Sequence, residues 1–292
     1  MPHFLKVHAA LFTVALLFST NYVVAKWIMP VYLMPFGIIV LRVWGSTLLF
    51  SVCHYFWVRE KTPTRRDLAY MALCSLFGIV ANQLMFFKGL SLTSPINTAI
   101  LMTLSPIIIL TVAVVLRKEN LTFVKSLGIL LGALGAFLLI SGGRLTWPNE
   151  NNWGSFFLLM NATTYSIYLV LIKPLMKKYH ALTVTKWVFT FGCVGVLPFG
   201  WFELVNGHWA EMPLWGYGIL LFTIVGGTFF TYLLNAWGLA YVNASLVGFY
   251  IYLQPVLTSM IAIFYQQDEL TWAKVFYSLL IFAGVYLVSV RK

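Results

Sequence analysis

MPLWGYGILLFTIVGGTFFTYLLNAWGLAYVNASLVGFYIYLQPVLTSMIAIFYQQ, residues 212–267, runs for 56 positions without one Asp, Glu, Lys or Arg. A helix needs about 20 apolar residues to cross the hydrocarbon of a bilayer, so this stretch is far too long for one crossing. The polar patch Gly238–Ala244 (GLAYVNA) divides it in two. Extending the same reading outward, with breaks at charges, turn residues and proline, gives ten candidate spans at about 5–25, 35–57, 68–87, 94–116, 124–142, 153–172, 182–203, 214–235, 244–265 and 273–290. Over the 292 residues, 61% are hydrophobic and only 9% are Asp, Glu, Lys or Arg, against about 25% charged in an ordinary soluble domain. Such a chain cannot cover a globule with solvated side chains, which excludes a cytosolic enzyme, a disordered protein and a collagen-like repeat. The expected fold is therefore an all-α polytopic membrane protein. Lys6, the apolar run after it and Val23-Val24-Ala25 could pass for a signal peptide, but more spans follow at once, so the segment reads as a first helix.

The net charge of +11 comes from 19 Lys and Arg against 8 Asp and Glu. The bases sit in short clusters between apolar runs, which reads as topology and not as a nucleic-acid surface. With the N-terminus inside, 14 of the 19 face the cytoplasm: Lys6, Arg59, Lys61, Arg65, Arg66, Arg117, Lys118, Lys125, Lys173, Lys177, Lys178, Lys186, Arg291 and Lys292. Lys26, Lys88, Arg144 and Lys274 fall on the other side, and Arg42 lies within a span. The bias puts both termini in the cytoplasm, in a plasma (inner) membrane. The connections are too short to fold as soluble domains, and no GxxxxGK[ST] phosphate loop is present. Cys53, Cys74 and Cys193 have no metal-type spacing and read as packed thiols; no metal or cofactor is expected.

Shifting the chain by 149 positions superposes Gly78 on Gly227, Gly89-Leu90 on Gly238-Leu239, Leu104 and Pro106 on Leu253 and Pro255, Leu121-Thr122 on Leu270-Thr271, and Gly135 on Gly284. Nearer the start of each half the shift is slightly smaller: Thr20-Asn21-Tyr22 matches Thr163-Thr164-Tyr165, and Arg42 matches Lys186. The units are 1–145 and 151–292. Each holds five spans, and an odd number makes the second copy enter from the opposite face. Ten helices as two inverted five-helix repeats is the architecture of many secondary transporters. Pro106 and Pro255 are expected to kink their helices, and Gly132, Gly135 and Gly284 to allow close helix contact.

On these residues the chain resembles the EamA-type members of the drug/metabolite transporter superfamily. The resemblance is carried by the acidic turns before Leu-Thr (Glu119-Asn120-Leu121-Thr122 and Asp268-Glu269-Leu270-Thr271), by FSTNYVVAK from Phe18 to Lys26, by Leu41-Arg42, and by the glycine-rich last helix of each half. It covers nearly the whole chain. It implies a transporter and not an enzyme, exporting amino acids, often aromatic or hydrophobic, or related metabolites.

A membrane interior tolerates polar groups where they pair or line water. The candidate substrate-binding residues are accordingly Asn21, Tyr22, Asn82, Gln83, Phe86, Met102, Tyr165, Tyr168, Tyr232, Asn235, Tyr250 and Gln254. Tyr165 and Tyr168 share a helix face, as do Tyr232 and Asn235, and Tyr250 and Gln254. Amide dipoles and ring faces side by side suit a small solute with an amine, a carboxylate and an apolar side chain. The competing reading is that such groups only bridge helices or form an interfacial belt. Asn82, Gln83 and Tyr22 favour the cavity; Tyr241, Trp27 and Trp209 favour belt or loop. Arg42, the one intramembrane charge, offers either a ligand for a carboxylate or a packing anchor that bonds backbone or a neighbouring helix; with its mate Lys186 it reads first as a structural anchor. No acid lies deep in a span, which removes the usual proton relay and leaves facilitated export as the simpler mechanism. The alternatives are a carrier of organic phosphates or nucleotide-linked sugars, which needs cations in the cavity, and an intramembrane enzyme or a scaffold.

Overall fold

The computed structural model describes residues 2–115, 121–141, 150–241 and 250–289, and among these every regular element is helical. The elements are α1 (Pro2–Ile28), α2 (Pro35–Trp57), α3 (Arg65–Ser75), α4 (Asn82–Leu92), α5 (Pro95–Met102), α6 (Ser105–Val115), α7 (Phe123–Ser141), α8 (Glu150–Lys178), α9 (Ala181–Val205), α10 (Leu214–Ile224), α11 (Thr231–Tyr241), α12 (Gln254–Phe264) and α13 (Trp272–Ser289). α3 passes into α4 through the π-helical turn Leu76–Ala81, and α10 into α11 through a second, Val225–Phe230.

Seven helical stretches among the described residues are long and apolar enough to cross a membrane, and α5 with α6 forms an eighth that is bent by 41°. α12 and α13 are shorter apolar helices. The expected span at 244–265 lies partly outside the described residues. So do Arg117, Lys118, the Glu119-Asn120 turn, Arg144, Arg291 and Lys292, together with the side chains of the Gly238–Ala244 patch and of Tyr241.

Local chemistry sets the helix ends. α2 and α5 start on proline, whose missing N–H is one the first turn would leave unbonded anyway. The Thr64 hydroxyl accepts from the Asp67 amide at the start of α3, and the Ser94 hydroxyl from the Asn97 amide at the start of α5. The bend between α5 and α6 falls immediately before Pro106, which cannot donate to the preceding turn. Pro255 stands in the first turn of α12, after the turn at Tyr252-Leu253. The bend before Pro106 is the one the sequence predicts, while the span expected around Pro255 lies partly outside the described residues.

The expected 149-position offset recurs in the element boundaries. α3, the first π-turn, α4 and α6 start 149 positions before α10, the second π-turn, α11 and α12 respectively, and α3 and the first π-turn also stop 149 positions before α10 and the second π-turn.

α2 packs along α9, α4 along α8, and α7 along α13. α2 and α9 run antiparallel and cap each other. The Phe36 and Gly37 amides in the first turn of α2 donate to Glu203 Oε2, near the end of α9, at 2.6 and 3.0 Å. Beyond the end of α2, Glu60 accepts from the His180 amide (2.8 Å) and the Thr183 hydroxyl (2.6 Å) at the start of α9. Each carboxylate meets the unsatisfied N–H groups and positive dipole end of a helix. α7 and α13 also run antiparallel and approach more closely: a Cβ on Gly284 would stand 2.6 Å from the Gly128 carbonyl oxygen, and one on Gly128 2.6 Å from that of Gly284. Outside these seams the helices expose large apolar side chains. The ends of α2 (Tyr55-Phe56-Trp57) and α9 (Trp201, Phe202) expose aromatic clusters suited to a membrane interface.

Candidate functional site

The second π-turn organises the middle of the molecule. A π-turn interrupts the regular ladder of an α-helix and frees backbone carbonyls. Here the Gly227 carbonyl accepts from Arg42 Nη2 at 2.9 Å, while Arg42 Nε donates to Thr228 Oγ1. The Thr228 hydroxyl in turn donates to the Thr223 carbonyl (3.0 Å), and the Thr231 hydroxyl donates to Gly227 (3.1 Å) and Thr228 (2.9 Å). Arg42 is 3% exposed, and its guanidinium carbon lies 5.1 Å from the Phe87 ring centroid. Asn21 of α1 faces the same turn, since a Cβ on Gly227 would come within 2.9 Å of Asn21 Oδ1.

Around this point α1 meets α12 and α4. The Tyr22 hydroxyl donates to Gln254 Oε1 at 3.0 Å, the Ser19 hydroxyl donates to the Gln254 carbonyl at 3.2 Å, and the Tyr22 and Phe86 rings are 5.6 Å apart. α4 and α8 are joined by a reciprocal amide pair. Asn82 Nδ2 donates to the Asn161 carbonyl (3.2 Å), and Asn161 Nδ2 to the Asn82 carbonyl (2.8 Å). The Gln83 amide lies against Asn82 and against the Tyr232 hydroxyl. Tyr165 and Tyr168 stack obliquely at 6.0 Å on α8. Tyr232 packs edge-on to Phe189 at 5.3 Å, and Phe50 bridges Phe189 and Phe229 at 5.0 and 5.1 Å.

Eleven of the twelve predicted residues are buried or half-buried in or beside this centre, in two grades. Asn21, Tyr22, Asn82, Gln83, Phe86, Tyr168 and Gln254 are buried, and Tyr165 and Tyr232 half-buried with them. Met102 is half-buried at the end of α5, packed on the core beside the bend. Asn235 is half-buried on α11, one turn beyond Tyr232. Tyr250 is elsewhere. Its hydroxyl meets His8 Nδ1 at 2.6 Å, and His8 lies about 21 Å along α1 from Tyr22 at 1.5 Å per residue. The turn at Tyr252-Leu253 separates Tyr250 from the face of Gln254. Arg42 and Lys186, matched in sequence, occupy unlike places. Arg42 is at the centre; Lys186 is half-buried near the start of α9, 5.2 Å from the Trp187 ring. Ser19, Phe87 and the π-turn carbonyls escaped the sequence reading, because a π-turn has no residue signature of its own.

Several buried polar atoms in the centre have no hydrogen-bond partner among the described residues: both amide atoms of Asn21, Arg42 Nη1 and Gln83 Oε1. No carboxylate among the described residues pairs with Arg42. A separate open groove of about 630 Å³ lies between α3 and α8, lined by Thr64, Arg66, Asp67, Tyr70, Pro174 and Lys178, and includes none of the predicted site residues. There Asp67 Oδ2 accepts from the Thr64 hydroxyl, Lys178 Nζ and the Tyr179 hydroxyl at 2.5–2.7 Å, tying the two helices together.

The chain is similar to the uncharacterized transporter YyaM of Bacillus subtilis, 25% identical over 205 residues, which cover 70% of this chain and 67% of that protein. It is similar to the Arabidopsis thaliana protein WALLS ARE THIN 1, 25% identical over 331 aligned residues that cover all of this chain and 84% of that one. One solved crystal structure shares the fold with a TM-score of 0.65 at 18% identity, covering 97% of this chain and 96% of the other. The model of the EamA-like transporter family matches twice, over residues 5–141 and 152–290. This integral membrane protein, with its polar centre between apolar helices, belongs to the EamA-like transporter family.

Proposed function

We propose that the chain exports amino acids or related small metabolites by alternating access, as ten spans in two inverted five-helix repeats, residues 1–145 and 151–292. The observation that carries this reading is the convergence of α1, α2, α4, α8, α11 and α12 on one buried set of amides, hydroxyls and rings. Such groups are costly in a bilayer unless they pair or serve a solute. The 149-position offset, the antiparallel α2–α9 and α7–α13 seams and the crossed caps of Glu60 and Glu203 support the inverted repeat. A segment used in both orientations can exchange two packings and so open the centre to one side and then the other. Aromatic faces beside amides suit an ammonium and an apolar side chain.

Organic phosphates are a weaker match, because a dianion calls for a second cation and Lys186 lies apart from Arg42. Six of the acids, Glu60, Asp67, Glu203, Glu211, Asp268 and Glu269, stand at helix ends or in loops, so the solute gradient itself is the simplest driving force. The bias of basic residues supports cytoplasmic termini, in a protein read as one of the plasma membrane. In proteoliposomes, labelled hydrophobic amino acids should exchange faster than in protein-free vesicles, with and without a proton gradient. Equal rates across an amino-acid panel would reject the reading.

A further inference from the structure

We infer that Arg42, with Asn21, forms the subsite for the carboxylate of a zwitterionic solute. The inference rests on the export reading above and assigns Arg42 a ligand in addition to its anchoring bonds.

A buried guanidinium is tolerated when each of its donors is used and its charge is matched. Two Arg42 nitrogens are committed to the second π-turn, so the group is held in one orientation. The third, Nη1, is buried with no partner among the described residues, and no described carboxylate neutralises the charge. Asn21 is fully buried with neither amide atom bonded to any described residue, and its side chain meets the same Gly227 whose carbonyl holds Arg42. Arg42 Nη1 and Asn21 Nδ2 are donors left unbonded by the described residues, on two residues that both meet Gly227, and a carboxylate can accept a charge-assisted bond from the first and a neutral bond from the second. The free acceptors, Asn21 Oδ1 and Gln83 Oε1, match the other end of a zwitterion, an ammonium with three donors. The Phe86, Phe87 and Tyr22 rings supply apolar walls. A pure structural anchor would leave these four atoms without a purpose.

The test uses the full chain in lipid nanodiscs, with L-phenylalanine and L-phenylalaninamide as probes, which differ at the carboxylate. The wild-type protein should bind the acid at least ten-fold more tightly than the amide. Arg42→Gln should bring that ratio close to one, with Arg42→Lys intermediate; intrinsic tryptophan fluorescence reports both binding and folding. Equal wild-type binding of acid and amide overturns the inference and leaves a transporter whose Arg42 is an anchor, and that comparison needs no variant to fold. An unchanged ratio in folded Arg42→Gln also overturns it. Binding of neither probe, nor of any other amino acid in the panel, overturns the inference together with the proposed export of amino acids.

Discussion

Asn161 and Asn82 illustrate how single polar residues hold this structure. Each side-chain amide donates to the other's backbone carbonyl across α4 and α8. Interhelical hydrogen bonds of this kind contribute about 0.6–2 kcal/mol in membranes. Asn161→Leu should therefore lower the detergent unfolding temperature, and an unchanged midpoint would remove the pair from the account. At Glu60, burial pushes the carboxyl pKa up, but the bonds from Thr183 and the His180 amide outweigh it and leave the pKa below its ordinary value of 4.5. A depressed carboxyl pKa contributes stability that is present above the unfolded-state value and is lost as pH falls through the folded-state value. Wild-type protein should thus melt above Glu60→Gln at pH 7, and the gap should shrink as the pH is taken down past the ordinary carboxyl value of 4.5; a gap independent of pH would contradict the assignment. Asn21, Tyr22, Asn82, Gln83 and Gln254 were legible in the sequence because a polar side chain amid apolar neighbours needs a reason. The shared face of Tyr250 and Gln254 was not legible, because a turn at Tyr252-Leu253 that the sequence does not announce lies between them, and the Tyr250 hydroxyl meets His8.

At the scale of helices, proline and glycine decide where spans bend and where they touch. Pro106 marked the α5–α6 break in advance, since the missing N–H is a local property of the chain. The two π-turns were invisible beforehand, because they leave no composition of their own; yet the second supplies the carbonyl that holds Arg42. Gly284 is where α13 lies against the α7 backbone, with any Cβ forced to within 2.6 Å of main-chain atoms of Gly128 and Gly132. Backbone cannot yield as a flexible side chain can, and overpacking costs about 1–3 kcal/mol or more. Gly284→Leu should lower the unfolding temperature markedly. Gly218→Leu, where a Cβ would meet nothing within 4 Å, should leave it nearly unchanged. Equal effects at the two sites would mean that the α7–α13 seam is not close-packed. The acids act at the same scale: Glu203 and Glu60 each cap the partner of a pair, so α2 and α9 are tied at both ends.

For the whole molecule, composition alone required a lipid environment, and the uncharged stretch at 212–267 required more than one crossing. The offset of 149 positions, weak at any one match in sequence, gains force because element boundaries repeat it. The number of crossings followed less directly: seven stretches qualify by length and apolarity, an eighth is bent, and α12 and α13 are short. Substrate chemistry was only partly legible, since sequence shows which polar groups are buried but not which of their atoms are already bonded. The distribution of Lys and Arg predicts that a C-terminal fluorescent fusion glows and a C-terminal alkaline phosphatase fusion is inactive; the reverse result would invert the topology. The central claim is that the buried polar centre opens in turn to both faces of the membrane. It is tested by Gln83→Cys in a background lacking Cys53, Cys74 and Cys193, probed with a membrane-impermeant thiol reagent added to right-side-out or to inverted vesicles. Alternating access predicts labelling from both sides, slowed from both by a transported amino acid. Labelling from one side only, or from neither, would contradict it.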